Sequence, residues 1–538
     1  MVGTHDGQST KVIGYNEAKF IQLNIIFSLH KSSTTMNRLL WFISILSTVQ
    51  QNAFSQTSPD TVCILQLNDV YEIGPLSQGQ VGGMARVATI VKQHEAKYQT
   101  FVVLAGDFVS PSVIGTTMVE GQKVNGRHMV DMMNLAGVDL VTFGNHEFDI
   151  PDSSLQQRIN ESQFAWVSSD VLHKSKSGNV SPYYKIKSDS SAIPTFVLLP
   201  STHGQFTIGI ISATRPSNPQ QWVVYKDNFK YFKKAWKQAK RKSDVVIGLT
   251  HLAITDDEHL LRKLKRIPLI MGGHEHKRNY VLVRKAAIAK ADANAKSMYR
   301  HLLFRDRNSG KIKIVSDLLE VDSTILPDPV VDTAVKAREN RAYASFRKLG
   351  LDPTAVVYHT TEPLDGTEEN IRTRQTNLGS LIAQAMLAAA PSTKVAVYNS
   401  GSIRIDDMIE GVVTQLDVIR TLPFEARLIE VALSGSVLNR MLTTSDSLKR
   451  SGGYLQHSAN ITFDSSHWLI NGLPVEEAKT YRIVSNDYIF SGREKGSMAF
   501  LKEGAPGIFS IARFNSAGDP RSDLRLAVVK YLSSIDTN

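Results

Sequence analysis

The feature that most constrains the fold is an alternation of short β-rich apolar runs with segments of helical periodicity. The runs are TVCILQL, TFVVLAG, DLVTFG, TIGIIS, DVVIGLT and IPLIMGG, and the first begins at Thr61. Intervening segments such as MARVATIVKQHEAKY and DDEHLLRKLK place their apolar residues at helical spacing. Strand followed by helix, repeated, is typical of an α/β domain, which we expect at residues 58–325.

Polar side chains of only three types follow five of these strands. In an open α/β sheet the loops after parallel strands meet at one edge, so residues far apart in the chain can converge there. A lone histidine after a strand is usually a surface residue or one with a satisfied hydrogen bond. Five strand ends that carry only Asp, Asn and His instead indicate a metal site. The residues are Asp69, Asp107, Asn145, His146, His251, His274 and His276.

The residue types narrow the kind of metal. Carboxylate, amide and imidazole groups without a thiolate suit hard to borderline divalent ions, and we expect zinc, manganese, cobalt, iron or magnesium. Six of these seven groups would exceed the needs of one catalytic ion but suit two ions about 3.5–4 Å apart that share a bridging carboxylate. Two-metal sites of this kind hydrolyse phosphate esters. The net charge of +10 is a weak hint of phosphate, since charge alone does not separate anionic substrates from nucleic acid.

The strand ends together resemble a known signature. Asp69, GDF, GNHEFD, TH and GGHEH, in that order, look like the motifs of the calcineurin-like metallophosphoesterases. GNHEFD, combined with NSGSIR and LPFEA further along, resembles the 5'-nucleotidase and UDP-sugar hydrolase family, from about Thr61 to about Leu501. The resemblance implies an N-terminal four-layer αββα sandwich, with helices outside two β-sheets, and a C-terminal α/β domain that supplies the substrate pocket.

The resemblance also implies a role for each residue. His146, oriented by Asp149, would stabilise the transition state and assist the leaving alkoxide while a metal-bound hydroxide attacks phosphorus. Asp107 would bridge the two ions. The other ligands would divide between the ions, with Asp69 and His276 on one and Asn145, His251 and His274 on the other.

Tyr71 departs from the family pattern, which usually has a histidine at this position. A neutral phenol is a poor ligand, yet a nearby dication can lower its pKa until the phenolate binds. The alternatives are that Tyr71 fills space beside the ligands, or that it packs aside and water takes its place. In each case we expect the metal held by Asp69 to be bound more weakly, or selected differently, than in the usual pattern.

A second domain follows a helical connector. We expect the connector at residues 326–354 and the substrate-binding domain at residues 355–538. By resemblance, arginines and a glycine-containing turn in IRTRQTNLGS and YNSGSIRID would bind phosphate or ribose, and aromatic residues in LPFEA and SNDYIFSGREKG would clamp a base. The expected binding residues are Arg372, Arg374, Asn399, Gly401, Arg404, Phe424 and Tyr488.

The turn after the second aromatic residue also departs from the family. Relatives usually carry Gly-Gly-Asp-Gly, whereas this chain has GREKG. Arg493 replaces a glycine, and Glu494 stands where an aspartate would contact ribose. The sequence therefore favours phosphomonoester hydrolysis more strongly than it favours AMP as the substrate.

The N-terminal region indicates export. Residues 36–55 combine an early arginine, a short apolar core and a small-x-small pattern, which predict a secretory signal peptide. Residues 1–35 are polar, and we interpret them as a non-native extension or a misassigned start; an internal hydrophobic anchor is the alternative. The rest of the chain has one cysteine, Cys63, and no further apolar run of spanning length. We therefore expect a secreted or extracytoplasmic protein with no intrachain disulfide and no stable membrane span.

The function that the sequence favours is that of an exported dinuclear phosphoesterase, which converts nucleoside 5'-monophosphates to nucleoside and phosphate. Alternatives on the same scaffold are a nucleotide-sugar hydrolase, a nucleoside di- or triphosphate hydrolase, and a 2',3'-cyclic nucleotide phosphodiesterase. A rival from another class is a secreted nucleotide-binding protein with impaired catalysis, supported by Tyr71 and the GREKG turn. The sequence leaves the oligomeric state open.

A lysine-rich segment at residues 225–242 could suggest nucleic acid. Its apolar residues Phe229, Phe232, Trp236 and Ala239 recur at helical spacing, which leaves the lysines on the opposite face. This pattern favours a solvated amphipathic helix, and we expect no nucleic-acid partner.

Overall fold

The computed structural model describes residues 61–536, except 187–189, 218–219, 493–495 and 517. The expected signal peptide at residues 36–55 and the preceding residues 1–35 therefore lie outside the described residues. The described part forms two α/β domains, as the sequence predicts. Within it, no helix combines the length and the apolar character needed to cross a membrane.

Two six-stranded sheets form the centre of the N-terminal domain, and each contains four parallel strands. The first sheet has the spatial order Ile312–Glu320, Ser297–Arg305, Val62–Leu67, Gln99–Leu104, Leu140–Thr142 and Ala165–Val167. The second has the order Phe196–Pro200, Thr207–Thr214, Val245–His251, Leu269–Gly272, Ala286–Lys290 and Asn279–Val283.

Apolar side chains from both sheets make a shared core. Ile64 and Val103 of the first sheet belong to the same buried cluster as Ile210 and Ile247 of the second. Every residue of Val62–Leu67 is buried, as expected for a parallel strand covered on both faces.

Helices cover the two outer faces. Against the first sheet lie Met84–Glu95, Val113–Thr116, Arg127–Ala136 and Asp152–Glu161, and against the second lie Asn228–Ala239 and Ile254–Lys263. The four-layer αββα sandwich is thereby confirmed. Short strands border it at Met118–Val119, Gln122–Lys123, Val171–Lys174, Val180–Ser181, Tyr184–Lys185, Ser191–Ala192 and Val223–Tyr225.

The lysine-rich segment forms the amphipathic helix Asn228–Ala239, as predicted. Its N-cap is Asp227, whose side chain accepts a hydrogen bond from the backbone N–H of Lys230. Phe232 and Ala239 are fully buried against the second sheet, while the lysines of the helix are exposed. Phe229 and Trp236 pack against the same cluster as Phe232.

The connector contains one long helix, Pro329–Lys348. Asp328 caps it by accepting hydrogen bonds from two backbone N–H groups, and proline occupies its first turn. Its apolar face, including Val335 and Phe346, packs into the same core as the first sheet and its helices. The connector helix is thus part of the outer helical layer of the N-terminal domain.

The C-terminal domain is built on a five-stranded mixed sheet. Its spatial order is Leu455–His457, Val395–Asn399, Thr480–Asn486, Leu428–Ser434 and Ile508–Arg513. Smaller sheets pair Val356–Asp365 with Met408–Thr414, and Ile461–Phe463, Trp468–Ile470 and Leu473–Pro474 with one another. The helices of this domain are Glu368–Ile371, Asn377–Ala389, Gln415–Thr421, Gly435–Ser447 and Leu524–Ile535. Its 3₁₀ turns lie at Ser400–Ser402, Gly496–Met498 and Pro520–Ser522, and the N-terminal domain has a 3₁₀ turn at His146–Asp149.

The two domains meet beside the C-terminal ends of the parallel strands. Arg404 of the C-terminal domain donates to Asp149 of the N-terminal domain at 3.1 Å. Asp407 accepts from Lys296, which precedes the strand Ser297–Arg305. The fold therefore brings one edge of the C-terminal domain to the strand ends that carry the candidate ligands.

Candidate metal centre and active site

The strand-end residues singled out from the sequence converge in the structure. Asp69, Asp107 and His251 each offer one ligand atom, and these atoms all lie within 4.8 Å of one another. All three side chains are buried. His251 Nε2 lies 3.1 Å from Asp107 Oδ2, and His276 Nε2 lies 3.7 Å from Asp69 Oδ1. The parallel strands of the two sheets end on the same side of the domain, so the loops that follow them meet there.

His274 and Asn145 border the same cluster. The His274 ring lies 5.5 Å from that of His251, centroid to centroid, and its backbone N–H donates to Asp69 Oδ2 at 3.0 Å. Asn145 is 5% exposed, and its chain neighbours Gly144 and His146 both approach Asp107 Oδ1. The structure thus groups Asp69, Asp107, His251 and His276, with His274 and the Asn145 loop beside them.

Two buried polar atoms at this site have no hydrogen-bond partner among the described residues. They are Asn145 Oδ1 and His251 Nε2, which is close to Asp107 without the geometry of a hydrogen bond. An unsatisfied buried polar atom is costly, and it is tolerated where an ion or ligand completes its bonding. Carboxylate oxygens, an amide oxygen and imidazole nitrogens are the donors that divalent cations accept. The residues present therefore fit a divalent metal.

Tyr71 is inside the cluster. Its side chain is 7% exposed, and its hydroxyl oxygen lies 3.1 Å from both Asp107 Oδ2 and His276 Nε2. The alternative in which Tyr71 packs aside from the ligands is therefore not the arrangement in this structure. The phenol oxygen occupies the space between Asp107 and His276.

The backbone is strained at three of the predicted ligands. Asp69, Asp107 and His274 have φ angles of 53°, 59° and 84°. Such left-handed conformations are disfavoured for residues with a side chain, and they concentrate at functional sites where surrounding structure enforces them. Here each sharp turn directs a strand-end side chain into the cluster.

Glycines permit the close approach of these turns. A Cβ atom on Gly144 would lie 2.1 Å from Asp107 Oδ1, and one on Gly273 would lie 2.5 Å from the carbonyl oxygen of Ala105. Neither position has room for a side chain. The glycines that precede Asn145 and His274 in the sequence motifs are therefore required by packing.

The charges of the cluster are strongly coupled. Burial raises the pKa of Asp69, although His251 and His276 oppose this shift. Burial likewise raises the pKa of Tyr71 well above its usual value, and Asp107 and Asp69 add to the effect. For His251, burial opposes the charged form, but Asp107 and Asp69 outweigh it and raise the pKa to about 10. A divalent cation at this place would supply the positive charge that protons otherwise provide.

His146 and Asp149 form the pair expected from the sequence. His146 Nδ1 lies 2.6 Å from Asp149 Oδ2, and the backbone N–H of His146 donates to Asp107 Oδ1 at 2.8 Å. Burial opposes protonation, but Asp107 and Asp149 raise the pKa of His146 to about 8. Arg404 also contacts Asp149, so the pair is held from both domains.

Glu147 was missed by sequence reasoning. This fully buried carboxylate accepts hydrogen bonds from the backbone N–H groups of Asp107 at 3.0 Å and Phe108 at 2.8 Å, and from that of Gly144. It therefore fixes the loop that carries Asp107 to the loop that carries Asn145. The sequence feature that could have indicated this role is an acidic residue next to Phe148 in GNHEFD, where the structure has a 3₁₀ turn with both residues buried.

A buried lysine was also missed. Lys290 is completely buried, and its Nζ lies 2.9 Å from Asp257 Oδ2 and contacts Glu275, the residue between His274 and His276. Asp257 accepts from the Thr250 hydroxyl at 2.7 Å, one residue before His251. The network thus holds two ligand-bearing loops together, and a lysine inside the apolar strand Ala286–Lys290 was its only sequence signal.

Arg404 of the C-terminal domain contacts Asp149, and Arg372 of the same domain is close enough to Arg404 and Asp149 to feel their charges. Arg372 and Arg404 each have a buried Nε atom without a hydrogen-bond partner among the described residues. Arg372 pairs with Glu368 at 2.7 Å. Arg374 differs, because its side chain is 62% exposed and pairs with Asp365. Arg372 and Arg404, both largely buried, are the better placed of the three to meet an anion.

Asn399 and Gly401 shape the turn that precedes Arg404. The Asn399 side chain is buried and accepts hydrogen bonds from Ser402 and Asn486, both at 2.8 Å. Gly401 packs on Gly452, and a Cβ there would lie 3.1 Å from the Gly452 carbonyl oxygen. These contacts lie within the C-terminal domain.

A cleft of about 330 Å³ lies between the two domains beside Asp149. Phe424, whose side chain is 46% exposed, lines it together with Arg404, and the Arg404 guanidinium lies 5.5 Å from the Phe424 ring centroid. Tyr488 is 40% exposed and is not among the residues that line this cleft. Glu494 lies outside the described residues, so the effect of the GREKG turn stays a prediction.

Comparison with known proteins agrees with this architecture. Residues 63–278 match the calcineurin-like phosphoesterase family, and residues 356–502 match the 5'-nucleotidase C-terminal domain. The chain therefore has the fold of a metallophosphoesterase, and in length it spans 29% of the first of the curated relatives described below. It belongs to the family that joins a calcineurin-like phosphoesterase domain to a 5'-nucleotidase C-terminal domain, which confirms the resemblance seen in the motifs.

Individual relatives are distant in sequence. The trifunctional nucleotide phosphoesterase protein YfkN of Bacillus subtilis is 26% identical over 457 residues, which cover 72% of this chain but 29% of that protein. The 5'-nucleotidase of Bos taurus is 25% identical over 405 residues, or 67% of this chain and 66% of the relative. The crystal structure of a 5'-nucleotidase precursor from Thermus thermophilus superposes with a TM-score of 0.66 at 22% identity, covering 88% of this chain and 97% of that one.

Glu147→Gln tests how the ligand loops are held. The amide would place an N–H donor against at least one of the backbone donors that Glu147 now satisfies. We expect a loss of about 1–3 kcal/mol in unfolding free energy and roughly 10–100-fold weaker metal binding. Urea denaturation and calorimetric metal titration measure the two effects. The exposed Glu95→Gln serves as the control, and an equal response in both variants would contradict the assignment.

Proposed function

We propose that the protein hydrolyses nucleoside 5'-monophosphates to nucleoside and phosphate, using two divalent ions held around Asp107. The observation that carries the proposal is the convergence of Asp69, Asp107 and His251 in a buried cluster, with His251 Nε2 lacking a hydrogen-bond partner among the described residues. The family supports phosphoester chemistry. Relatives named as nucleotide phosphoesterases and 5'-nucleotidases support a nucleotide substrate.

The ion ligands in this proposal are Asp69 and His276 on one side and Asn145, His251 and His274 on the other, with Asp107 between them. Bound divalent ions would supply Lewis-acid stabilisation of the phosphoryl oxygens and an activated water nucleophile. Zinc, manganese, cobalt, iron and magnesium are all compatible with these oxygen and nitrogen donors.

His146 acts on the leaving group in this proposal. Its Nδ1 is engaged by Asp149, so Nε2 is the nitrogen available to donate a proton to the departing ribose oxygen. Asp149 fixes the orientation of the ring. Because Arg404 also contacts Asp149, a substrate that draws the Arg404 guanidinium toward its phosphate would do so next to His146.

The interdomain cleft would hold the nucleoside. Arg372 and Arg404 provide guanidinium groups for phosphate or ribose oxygens, and Phe424 presents a partly exposed ring on which a base can stack. Asn399 and Gly401 support the turn before Arg404. Tyr488 would contribute the second aromatic surface only if substrate binding brings it toward the cleft.

The enzyme alternatives differ in what the cleft accepts. Nucleotide sugars, nucleoside di- or triphosphates and 2',3'-cyclic nucleotides all carry the phosphoester that the ions would attack. We keep the prediction that the protein is exported, on the basis of the signal-peptide pattern at residues 36–55. The nucleotide-binding protein with impaired catalysis remains the alternative of another class.

Phosphate release decides among these functions. The chain would be incubated with AMP, UMP, ADP, ATP, UDP-glucose or 2',3'-cyclic AMP, with EDTA or with added zinc, manganese, cobalt or magnesium. We expect metal-dependent release, fastest from nucleoside monophosphates, and a roughly 10²–10⁴-fold lower kcat in His146→Ala. Nucleotide binding without release under any metal would establish the binding protein instead.

Tyr71→His tests the departure from the family pattern. Imidazole is a better neutral ligand than a phenol whose pKa is raised by burial, so we expect tighter binding of one of the two ions. Calorimetric titration of the metal-stripped protein measures this change. Tyr280→His, at a half-exposed position on the second sheet, is the control. Unchanged metal affinity in Tyr71→His would contradict the weaker-ion interpretation.

Phe424→Ala tests base stacking. Loss of a stacking contact worth about 1–3 kcal/mol should raise KM for nucleotides roughly 5–150-fold. KM for a simple aryl phosphate, which has no nucleobase, should change little. Steady-state kinetics on both substrates supply the comparison, and equal effects on the two would argue against stacking.

A further inference from the structure

The two histidines nearest the carboxylates are oriented in different ways. His251 Nδ1 lies 2.7 Å from the carbonyl oxygen of Ala105, within the N-terminal domain. His276 Nδ1 lies 3.2 Å from the carbonyl oxygen and 3.1 Å from Oδ2 of Asp406, which belongs to the C-terminal domain. A hydrogen bond at Nδ1 fixes the ring and leaves Nε2 free to bind metal. One candidate ligand is therefore aligned by a residue from the other domain.

Asp406 is itself held in a specific conformation. Its φ angle is 40°, in the left-handed region, and its Oδ1 accepts a hydrogen bond from the backbone N–H of Glu368 at 2.5 Å. The Asp406 side chain is 25% exposed, so water has limited access to the carboxylate oxygen that faces His276. The C-terminal domain thus presents a fixed acceptor to His276.

The neighbours of Asp406 also reach across the interface. Arg404 contacts Asp149, the partner of His146, and Asp407 contacts Lys296. The short segment 404–407 therefore makes contacts with three separate loops of the N-terminal domain. If the C-terminal domain moved away, His276 would lose both of its Nδ1 acceptors in the same step.

We propose that Asp406 is a positioning residue through which seating of the C-terminal domain strengthens metal binding at the Asp69, Tyr71 and His276 side of the centre. The inference rests on the metal centre of the proposed function. Because Tyr71 is a poor neutral ligand, metal binding on this side depends mainly on Asp69 and on the alignment of His276. The coupling is reciprocal, so a metal bound there also favours the seated domain.

Metal titration of the full chain tests the coupling. Metal-stripped wild type, Asp406→Ala and Asp406→Asn would be titrated with Mn²⁺ in a calorimeter and fitted to two classes of site. Asp406→Ala removes the carboxylate acceptor of His276 and keeps only the backbone carbonyl, and we expect it to weaken one class roughly 10–100-fold and to leave the other unchanged. Asp406→Asn replaces the carboxylate oxygen with an amide oxygen, which can also accept from Nδ1, and it should restore most of the affinity.

Two further variants distinguish a specific effect on metal binding from a general loss of structure. Asp446→Ala removes an exposed carboxylate of the same domain that pairs with Lys449, and it should leave both classes of site unchanged. Lys296→Met removes the Asp407 contact from the N-terminal side without altering Asp406. It should weaken the same class as Asp406→Ala, by a smaller factor, and it decides the question if Asp406→Ala does not fold.

The outcomes are distinguishable. Absence of Mn²⁺ binding in the wild type would reject the proposed function itself. Two intact classes of site in both Asp406→Ala and Lys296→Met would overturn the coupling while leaving the proposed function in place. Equal weakening of both classes would also overturn it, because that result marks a general loss of structure. Selective weakening of one class, with recovery in Asp406→Asn, is the predicted result.

Discussion

The close burial of two carboxylates, Asp69 and Asp107, is the constraint on which the rest of this site depends. Acidic groups this close in a low-dielectric interior require compensating positive charge, from protonated histidines or from a cation. The arrangement requires strained backbone, with left-handed φ angles at Asp69, Asp107 and His274. It also requires glycines at positions that have no room for a side chain. A divalent metal centre explains why these features occur together.

Buried side chains behind the candidate ligands hold the ligand-bearing loops to one another. Glu147 joins the Asp107 and Asn145 loops through backbone N–H groups, and Lys290 joins the loops of His251 and His276 through Asp257 and Glu275. The side chains of Glu147 and Lys290 are fully buried and have several partners each, so removing either side chain would leave buried polar groups without a partner. The sandwich therefore supplies a rigid frame, and the C-terminal domain completes the site from the open side.

The parallel strands and most of the candidate metal ligands could be predicted from the sequence, because both follow from the order of residues along single strands. Apolar runs ending in Asp, Asn or His indicate both the parallel strands and the edge at which their loops converge. The partners of Glu147 and Lys290 were not predictable in this way, since they are backbone groups and carboxylates from loops distant in sequence. The contact of Asp406 with His276 depends on how two domains meet, and no periodicity in either segment encodes that.

Anomalous X-ray diffraction from crystals soaked in Mn²⁺ or Zn²⁺, collected at the metal absorption edge, tests the central claim most directly. The account predicts two peaks about 3.5–4 Å apart on either side of the Asp107 carboxylate, with the weaker peak beside Tyr71 and His276. Absence of any peak at Asp107, with His251 Nε2 bonded to a protein group instead, would contradict it.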